Sequence, residues 1–421
     1  MQTIWKLYRF PYEEIAEMTF LRLIGLRFFT AAFFNLCIIL PLAGDPSDPS
    51  ITLGFVGDIM VHNSQLRRAW LGEDESGNDM GYDFSPAFEW FAPYLKKPDL
   101  MIGNLETTFG GPYSAWITDE EYAFREYQAY PTFTTPDELA PALADTGFDL
   151  LGTANNHCMD SNLEGVSRTL EVLADAGLES TGTAASGSPL PWRGNVGGYS
   201  ISIIAWTASV NGLISSRDME PVNVFNARGN DGRLQEMLAE IRNEAARKPD
   251  LVILSIHWGQ EYFDEPDQYQ KNLAALAIEA GADIIIGSHP HVFQPIEIRG
   301  DVFIAWSLGN FISSQRFQEG ERAWVDGSAM INLEINRDKE GKARVFSAAF
   351  VPIYIHWTSE DIRVLGVSDG LSPGAEIKFG LSDYDIQRLK ALELQIPYQI
   401  TRYLGSIPAE KSEGGWIVDF Q

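Results

Sequence analysis

Two histidines separated by one proline, His289-Pro290-His291, follow an apolar run from Ile284 to Ile286 and a glycine at 287. Imidazoles at the end of a buried strand are suited to ligating a transition metal, and open α/β sheets place their ligands at that edge. Proline fixes its own φ and restricts the residue before it, which predicts a stiff, extended arrangement of the two histidines. The same design occurs at four earlier places: an apolar run, a turn, then a polar side chain. These deliver Asp58, Glu106, the pair Asn156 and His157, and His257. A carboxylate such as Asp58 at the tip of a central strand is costly unless it is paired or ligates a metal. Together the tips offer two carboxylates, an amide and three imidazoles, enough to surround two divalent cations that share one carboxylate. Oxygen and nitrogen donors without a thiolate suit Mn, Fe or Zn and disfavour a structural zinc site. Two such ions about 3.5–4 Å apart make hydroxide near neutral pH and stabilise charge on a transferring phosphoryl or carbonyl group. Asn156 and His157 can divide roles, with the amide on a metal and the imidazole toward a leaving group. Ser307 and Asn310 are candidates for hydrogen bonds that support the ligands. Cys158 reads as a packed thiol rather than a nucleophile.

These residues require strands that end together. Ile51 to His62 reads as a first core strand, on which Asp58, Met60 and His62 would share a face. Further strands are predicted over 99–106, 147–154, 199–205, 251–256, 284–286 and 302–306, then over 329–335 and 343–354. Helical spacing is predicted over 136–146, 163–176, 233–247 and 272–280, and in the tail over 383–404, a covering element without chemistry. Residues 110–130, rich in aromatic and acidic side chains, read as an insert near the mouth of the site.

The formal net charge of -27 excludes nucleic acid as a main partner, since polyanions repel. Two cysteines, Cys37 and Cys158, exclude a disulfide framework. Arg22 and Arg27 precede an uncharged run from Phe28 to Leu42, and small residues follow. Residues 1–44 therefore read as a signal peptide, the run being short of the about 20 residues of a comfortable span, or, since Glu13, Glu14 and Glu17 precede it and Pro41 spoils the cleavage site, as an uncleaved N-terminal membrane anchor. Residues 45–50 have linker composition. The expected location is extracytoplasmic, secreted or anchored to the cell membrane. The expected divisions are a metal-binding domain over 51–315 and C-terminal strands with a covering helix over 316–421.

Six segments taken together resemble a known family: Gly57-Asp58-Ile59-Met60, Asn104-Leu105-Glu106, Ala154-Asn155-Asn156-His157 with Asp160, Ile256-His257-Trp258-Gly259, Gly287-Ser288-His289-Pro290-His291 and Ser307-Leu308-Gly309-Asn310-Phe311. In these the chain is similar to the bacterial capsule-synthesis CapA (PgsA) family, a poly-γ-glutamate-associated branch of the calcineurin-like metallophosphoesterases. The resemblance implies an α/β fold, a four-layer αββα sandwich with mixed sheets, extended here by the C-terminal strands and helix. It implies that Asp58 and His291 hold one ion, that Asn156, His257 and His289 hold the other, and that Glu106 bridges. It assigns His157, with Asp160, to catalysis at the leaving group, and marks Asn104 and Asn155 as further site residues. It implies a metal-dependent hydrolase or transferase acting on a phosphoester or a γ-glutamyl amide in the making, export or anchoring of an anionic surface polymer, alongside membrane-bound synthase or export subunits. The competing expectation is a non-catalytic accessory protein that binds the polymer. Met60 stands where the wider superfamily has a histidine, and a thioether is a poor ligand for hard cations. The first ion site is therefore expected to be weak unless His62 supplies the missing nitrogen.

Overall fold

The computed structural model describes residues 49–112, 123–211, 220–225, 232–317, 324–405, 407–412 and 414–420, which belong to one compact unit. The N-terminal segment 1–44, most of the linker and the central part of the 110–130 insert lie outside the described residues.

In chain order the strands begin with β1 (Ile51–Ile59), β2 (Leu100–Leu105), β3 (Ala123–Phe124), β4 (Tyr127–Gln128), β5 (Leu150–Gly152) and β6 (Glu179–Thr181). They continue with β7 (Trp192–Val196), β8 (Tyr199–Thr207), β9 (Leu251–His257), β10 (Ile284–Ser288), β11 (Ile296–Arg299) and β12 (Val302–Ala305). The last six are β13 (Asn310–Ile312), β14 (Gly327–Arg337), β15 (Ala343–Trp357), β16 (Ile362–Gly366), β17 (Ala409–Ser412) and β18 (Gly415–Asp419). One sheet of ten strands runs β17-β18-β15-β14-β1-β2-β5-β6, with β13 beside β1 and β16 beside β15. The other runs β11-β12-β10-β9-β8-β7. Its inner strands β8, β9, β10 and β12 are mutually parallel, as are β1, β2, β5 and β6 in the first sheet. Both sheets are mixed, because β14 joins β1 antiparallel and β7 joins β8 antiparallel.

Period-two alternation assigns the layers. Leu53 and Phe55 of β1 meet Ile201, Ile253, Ile284 and Ile286 of the other sheet in the core between the sheets. Val56, Ile59, Met101 and Leu151 face outward and pack with Phe88 and Leu143 from the helices Ser85–Phe88 and Leu139–Thr146. On the opposite outside, Val252, Leu254 and Ile285 pack with Met237, Ile241, Leu273 and Ala277 of the helices Arg233–Ala246 and Gln268–Ala280. The architecture is thus helix, sheet, sheet, helix, with both faces of the parallel strands buried. That explains why those strands read as continuous apolar runs.

Two of the boundaries that differ from expectation lie close to the strand tips or their flanking helices. β1 ends at Ile59, so His62 is not on the strand; it stands at the start of the helix Asn63–Ala69. The helix expected from residue 272 begins a turn earlier, because Asp267 and Gln270 cap it reciprocally: the Gln270 amide donates to Asp267 Oδ1 at 2.7 Å, and the Asp267 amide to Gln270 Oε1 at 2.9 Å. The C-terminal strands β14 and β15 extend the first sheet directly from β1, and the helix Asp383–Thr401 packs Leu389 and Leu392 beneath them.

Candidate metal centre

The C-terminal ends of β1, β2, β5, β9 and β10 converge from both sheets, and each delivers a candidate. At β1 the register against β2 shifts between Phe55 and Asp58, an irregularity that re-aims the aspartate. Gly57 makes this possible. A Cβ there would lie 1.8 Å from the Gly309 carbonyl oxygen, the same oxygen that accepts the Asp58 amide at 2.9 Å. Gly287 plays the same part on β10, where a Cβ would lie 2.0 Å from the Trp306 carbonyl oxygen.

Asp58 and Glu106 are fully buried. Asp58 Oδ1 accepts from Asn104 Nδ2 at 2.8 Å, and Oδ2 lies 3.1 Å from His291 Nδ1. Neither Glu106 oxygen has a hydrogen-bond partner. Within ion-pair distance of Glu106 are only imidazoles among the described residues: His257 Nε2 at 3.5 Å and His291 Nε2 at 4.0 Å. Burial first, then the charge of Asp58, pushes the Glu106 carboxyl well above the usual range. Two buried carboxylates without a lysine or arginine are costly, and a divalent cation is what offsets that cost.

The side chains form two sets of potential ligands that share Glu106. One is Asp58, Glu106 and His291; the other is Glu106, His257 and His289. Asn156 adjoins the second, its Oδ1 lying 2.9 Å from His257 Nε2. The donor atoms are therefore compatible with divalent ions on either side of one carboxylate. Burial first, then His289, lowers His257 well below the usual histidine range. Burial first, then His291, lowers His289 to about 4. Both are neutral at neutral pH, the form that ligates.

The expected extended backbone at the two histidines is corrected. His289 has φ 96° and His291 has φ 58°, in the left-handed region that L-residues seldom adopt. The reason is tertiary: the turn brings the His289 amide to within 3.4 Å of Asp58 Oδ2, and folded backbone rather than proline stiffness aims both rings inward. Strain of this kind persists where surrounding structure over-determines it, and it concentrates at functional sites.

His157 and Asp160 form a pair beside these sets. His157 Nδ1 lies 2.7 Å from Asp160 Oδ2, which also accepts the Phe133 amide at 2.6 Å. The Phe133 ring stands edge-on to His157 at 4.6 Å and fixes its plane. Asn155 is a fastener between strand tips: its Nδ2 donates to the Leu105 carbonyl at 2.6 Å, and its Oδ1 accepts the His157 amide at 3.1 Å. Asn104 aligns Asp58 in the same way.

Three expected contributors lie elsewhere. His62 does not join either ligand set; its ring packs edge-on to Phe133 at 5.1 Å, and its Nδ1 accepts the Ser314 amide at 3.4 Å. It does not replace the nitrogen missing at Met60, because β1 stops at Ile59 and the chain turns into a helix. Met60 itself is buried against Ala129 and Phe133. Ser307 and Asn310 bond to the loops behind the site rather than to a ligand. Ser307 Oγ donates to the Val292 carbonyl at 2.9 Å, and Asn310 Nδ2 donates to the Val325 carbonyl at 3.0 Å. The described part of the aromatic insert packs inward on the fold, with Phe124 against Trp70 and Tyr127 against Tyr82.

The sequence offered no signal for Ser288. It lies opposite His257 in the β9–β10 register, with Oγ 2.9 Å from His257 Nδ1. Ligation through Nε2 requires the proton on Nδ1, and in that tautomer Nδ1–H would donate to Ser288 Oγ, so Ser288 would support the ligating form and hold the ring. Ser288→Ala is expected to weaken metal affinity by about 10–100-fold, the usual cost of removing such a support. Titration calorimetry with Mn or Zn checks this; unchanged affinity would rule the role out. Cys158 is buried, and burial pushes its thiol up to about 12. It should remain unalkylated by maleimide at pH 8 until the protein is unfolded, as peptide mass mapping would read.

Residues 52–315 match the family model described as bacterial capsule synthesis protein PGA_cap. The PGA biosynthesis protein CapA of Bacillus subtilis (strain 168) is 30% identical over 314 residues, covering 74% of this chain and 73% of that protein. The capsule biosynthesis protein CapA of Bacillus anthracis is 28% identical over 268 residues, covering 63% of this chain and 60% of that one. A probable polyglutamine synthesis accessory protein of Mycobacterium tuberculosis is 25% identical over 266 residues, covering 61% of this chain and 66% of its own length. The family match runs from β1 through the loop after β13 and so takes in every strand tip of the candidate centre: the chain belongs to the bacterial capsule synthesis PGA_cap family.

Proposed function

We propose that this protein acts in the synthesis of an anionic capsule polymer of the poly-γ-glutamate type, as a metal-dependent hydrolase or transferase. The observation that carries this is the Glu106 carboxylate, buried without a hydrogen-bond partner between two sets of ligands. Asp58, Glu106 and His291 would hold one divalent ion; Glu106, Asn156, His257 and His289 would hold the other. Bound there, such ions supply Lewis acidity toward a phosphoryl or carbonyl oxygen. The chain's own groups supply the rest. Asp160 holds the His157 proton on Nδ1 and orients the ring, leaving Nε2 to exchange a proton with a leaving group, the division of labour of an acid–base pair. Asn104 and Asn155 hold the strand tips in place. The basic and apolar residues before position 44 favour action outside the cytoplasm, secreted or anchored, beside membrane-bound synthase subunits.

The test is metal analysis of the purified chain, with turnover of a generic phosphodiester and of a γ-glutamyl amide. Asp58→Asn and His257→Asn should each lose bound metal and turnover; a metal-free protein whose variants behave as wild type would end the proposal. One observation favours a second role, that of a non-catalytic accessory. Met60 stands at the position of a superfamily ligand and is packed into an apolar cluster instead. Polymer binding without turnover in the presence of added Mn or Zn would decide for it.

A further inference from the structure

In a chain with 58 acidic and 31 basic residues, an arginine without a carboxylate partner is unusual. Most described arginines ion-pair, as Arg168 does with Asp137 at 2.6 Å and Arg388 with Asp326 at 2.6 Å. Arg67, Arg68, Arg242 and Arg316 have no carboxylate within ion-pair distance among the described residues. Two of these four sit over one indole. The Arg68 guanidinium lies 5.1 Å from the Trp357 ring centroid, and the Arg316 guanidinium 4.8 Å from it. Arg68 Nη1 donates to the Ser64 carbonyl at 3.2 Å, while its buried Nε has no partner. Asp361 is close enough to feel the charge of Arg68 but pairs with Arg363 at 3.7 Å.

Two like charges on one ring repel, and an anion between or beside them removes that cost. Stacking on an indole holds the planar guanidinium in place, so its fork loses little freedom when it binds a carboxylate in bidentate fashion. The position is also informative. Arg316 follows a residue that reaches toward the metal centre: Gln315 Nε2 lies 3.4 Å from the Tyr262 hydroxyl. Tyr262 in turn has its ring 6.0 Å from that of His291.

We propose that Arg68, Trp357 and Arg316 form a subsite for the carboxylates of an anionic polymer, placed where the chain would run toward the metal centre. The inference rests on the anionic-polymer function proposed above and names where such a polymer is gripped.

The probe is a γ-linked glutamate decamer, titrated calorimetrically into the full-length chain at low salt. Arg68→Gln combined with Arg316→Gln should weaken binding at least about tenfold, the scale of losing charge-assisted hydrogen bonds, with metal content unchanged. Arg316→Gln alone, at an exposed residue, should weaken it several-fold with the thermal midpoint unchanged, and Arg316→Lys should retain only part of the affinity. Equal affinity in wild type and the single Arg316→Gln variant, no binding by wild type, or displacement of the decamer by equimolar inorganic phosphate would overturn the carboxylate subsite. Failure of the catalytic proposal is separable. The decamer would still bind and the arginine variants would still lose it, while Asp58→Asn left polymer processing unchanged.

Discussion

Under the metal-dependent function proposed above, Glu106→Gln is expected to lower the number of bound divalent ions, with turnover lost by at least about a thousandfold as Lewis acidity and its alignment go together. Among the described residues the carboxylate is the one ligand common to both sets, so a single change there reaches both. A purely structural glutamate would give a different pattern, and stability tells the two apart. Neither oxygen of Glu106 has a partner that glutamine would forfeit, so the metal-free variant should be no less stable than metal-free wild type. With metal at 100 times its dissociation constant, wild type should gain about 2.7 kcal/mol and the variant little of it. The pH dependence has a defined sign. Burial and Asp58 raise the folded carboxyl well above its ordinary value of 4.5. The stability it contributes to the metal-free protein is therefore fully present below about that value and is lost as pH rises through the raised one. Glutamine abolishes that contribution to the slope. Thermal melts across pH, with and without Mn, give all three readouts. Equal metal content in the two proteins, or a large loss of stability in the metal-free variant, would refute the ligand role.

The second large effect is expected at Gly57→Ala. The new methyl would sit 1.8 Å from the Gly309 carbonyl oxygen, a backbone atom that cannot swing aside as a side-chain tip can. Relief requires parting β1 from β13, which breaks the 2.9 Å hydrogen bond from the Asp58 amide to Gly309 and shifts the aspartate. Overpacking of this kind costs about 1–3 kcal/mol before any lost hydrogen bond is added. The variant should lose about 3 kcal/mol or more and bind the ion of the Asp58 set weakly even where it folds. Denaturant midpoints and metal titration check this. A variant with wild-type midpoint and affinity would show that the strands do not meet as closely as described.

How much of this was legible beforehand depends on the kind of constraint. The apolar runs at 251–256 and 284–286 are legible because strands buried on both faces must be hydrophobic throughout. The polar residues that follow them are legible as ligand candidates because an unpaired carboxylate or imidazole at such a tip needs a reason. Convergence was not legible. Asp58 and His291 lie 233 positions apart and meet at 3.1 Å only because two sheets pack face to face with their strand ends together. Register was not legible either. Ser288 meets His257 through cross-strand pairing, and nothing local in Gly287-Ser288-His289 distinguishes a support from a spacer. The expectations that were corrected share a cause. Rules of local geometry put His62 on a strand and the His289-Pro290-His291 backbone in an extended form. In the folded chain β1 ends at Ile59 ahead of the helix Asn63–Ala69, and the His289 amide turns toward a buried aspartate. The sequence by itself determined the layers and the chemical identity of the donors, because burial and ligand type are properties of side chains. Only the tertiary structure decided which donors share an ion, because that is a matter of distance between segments the chain does not connect locally.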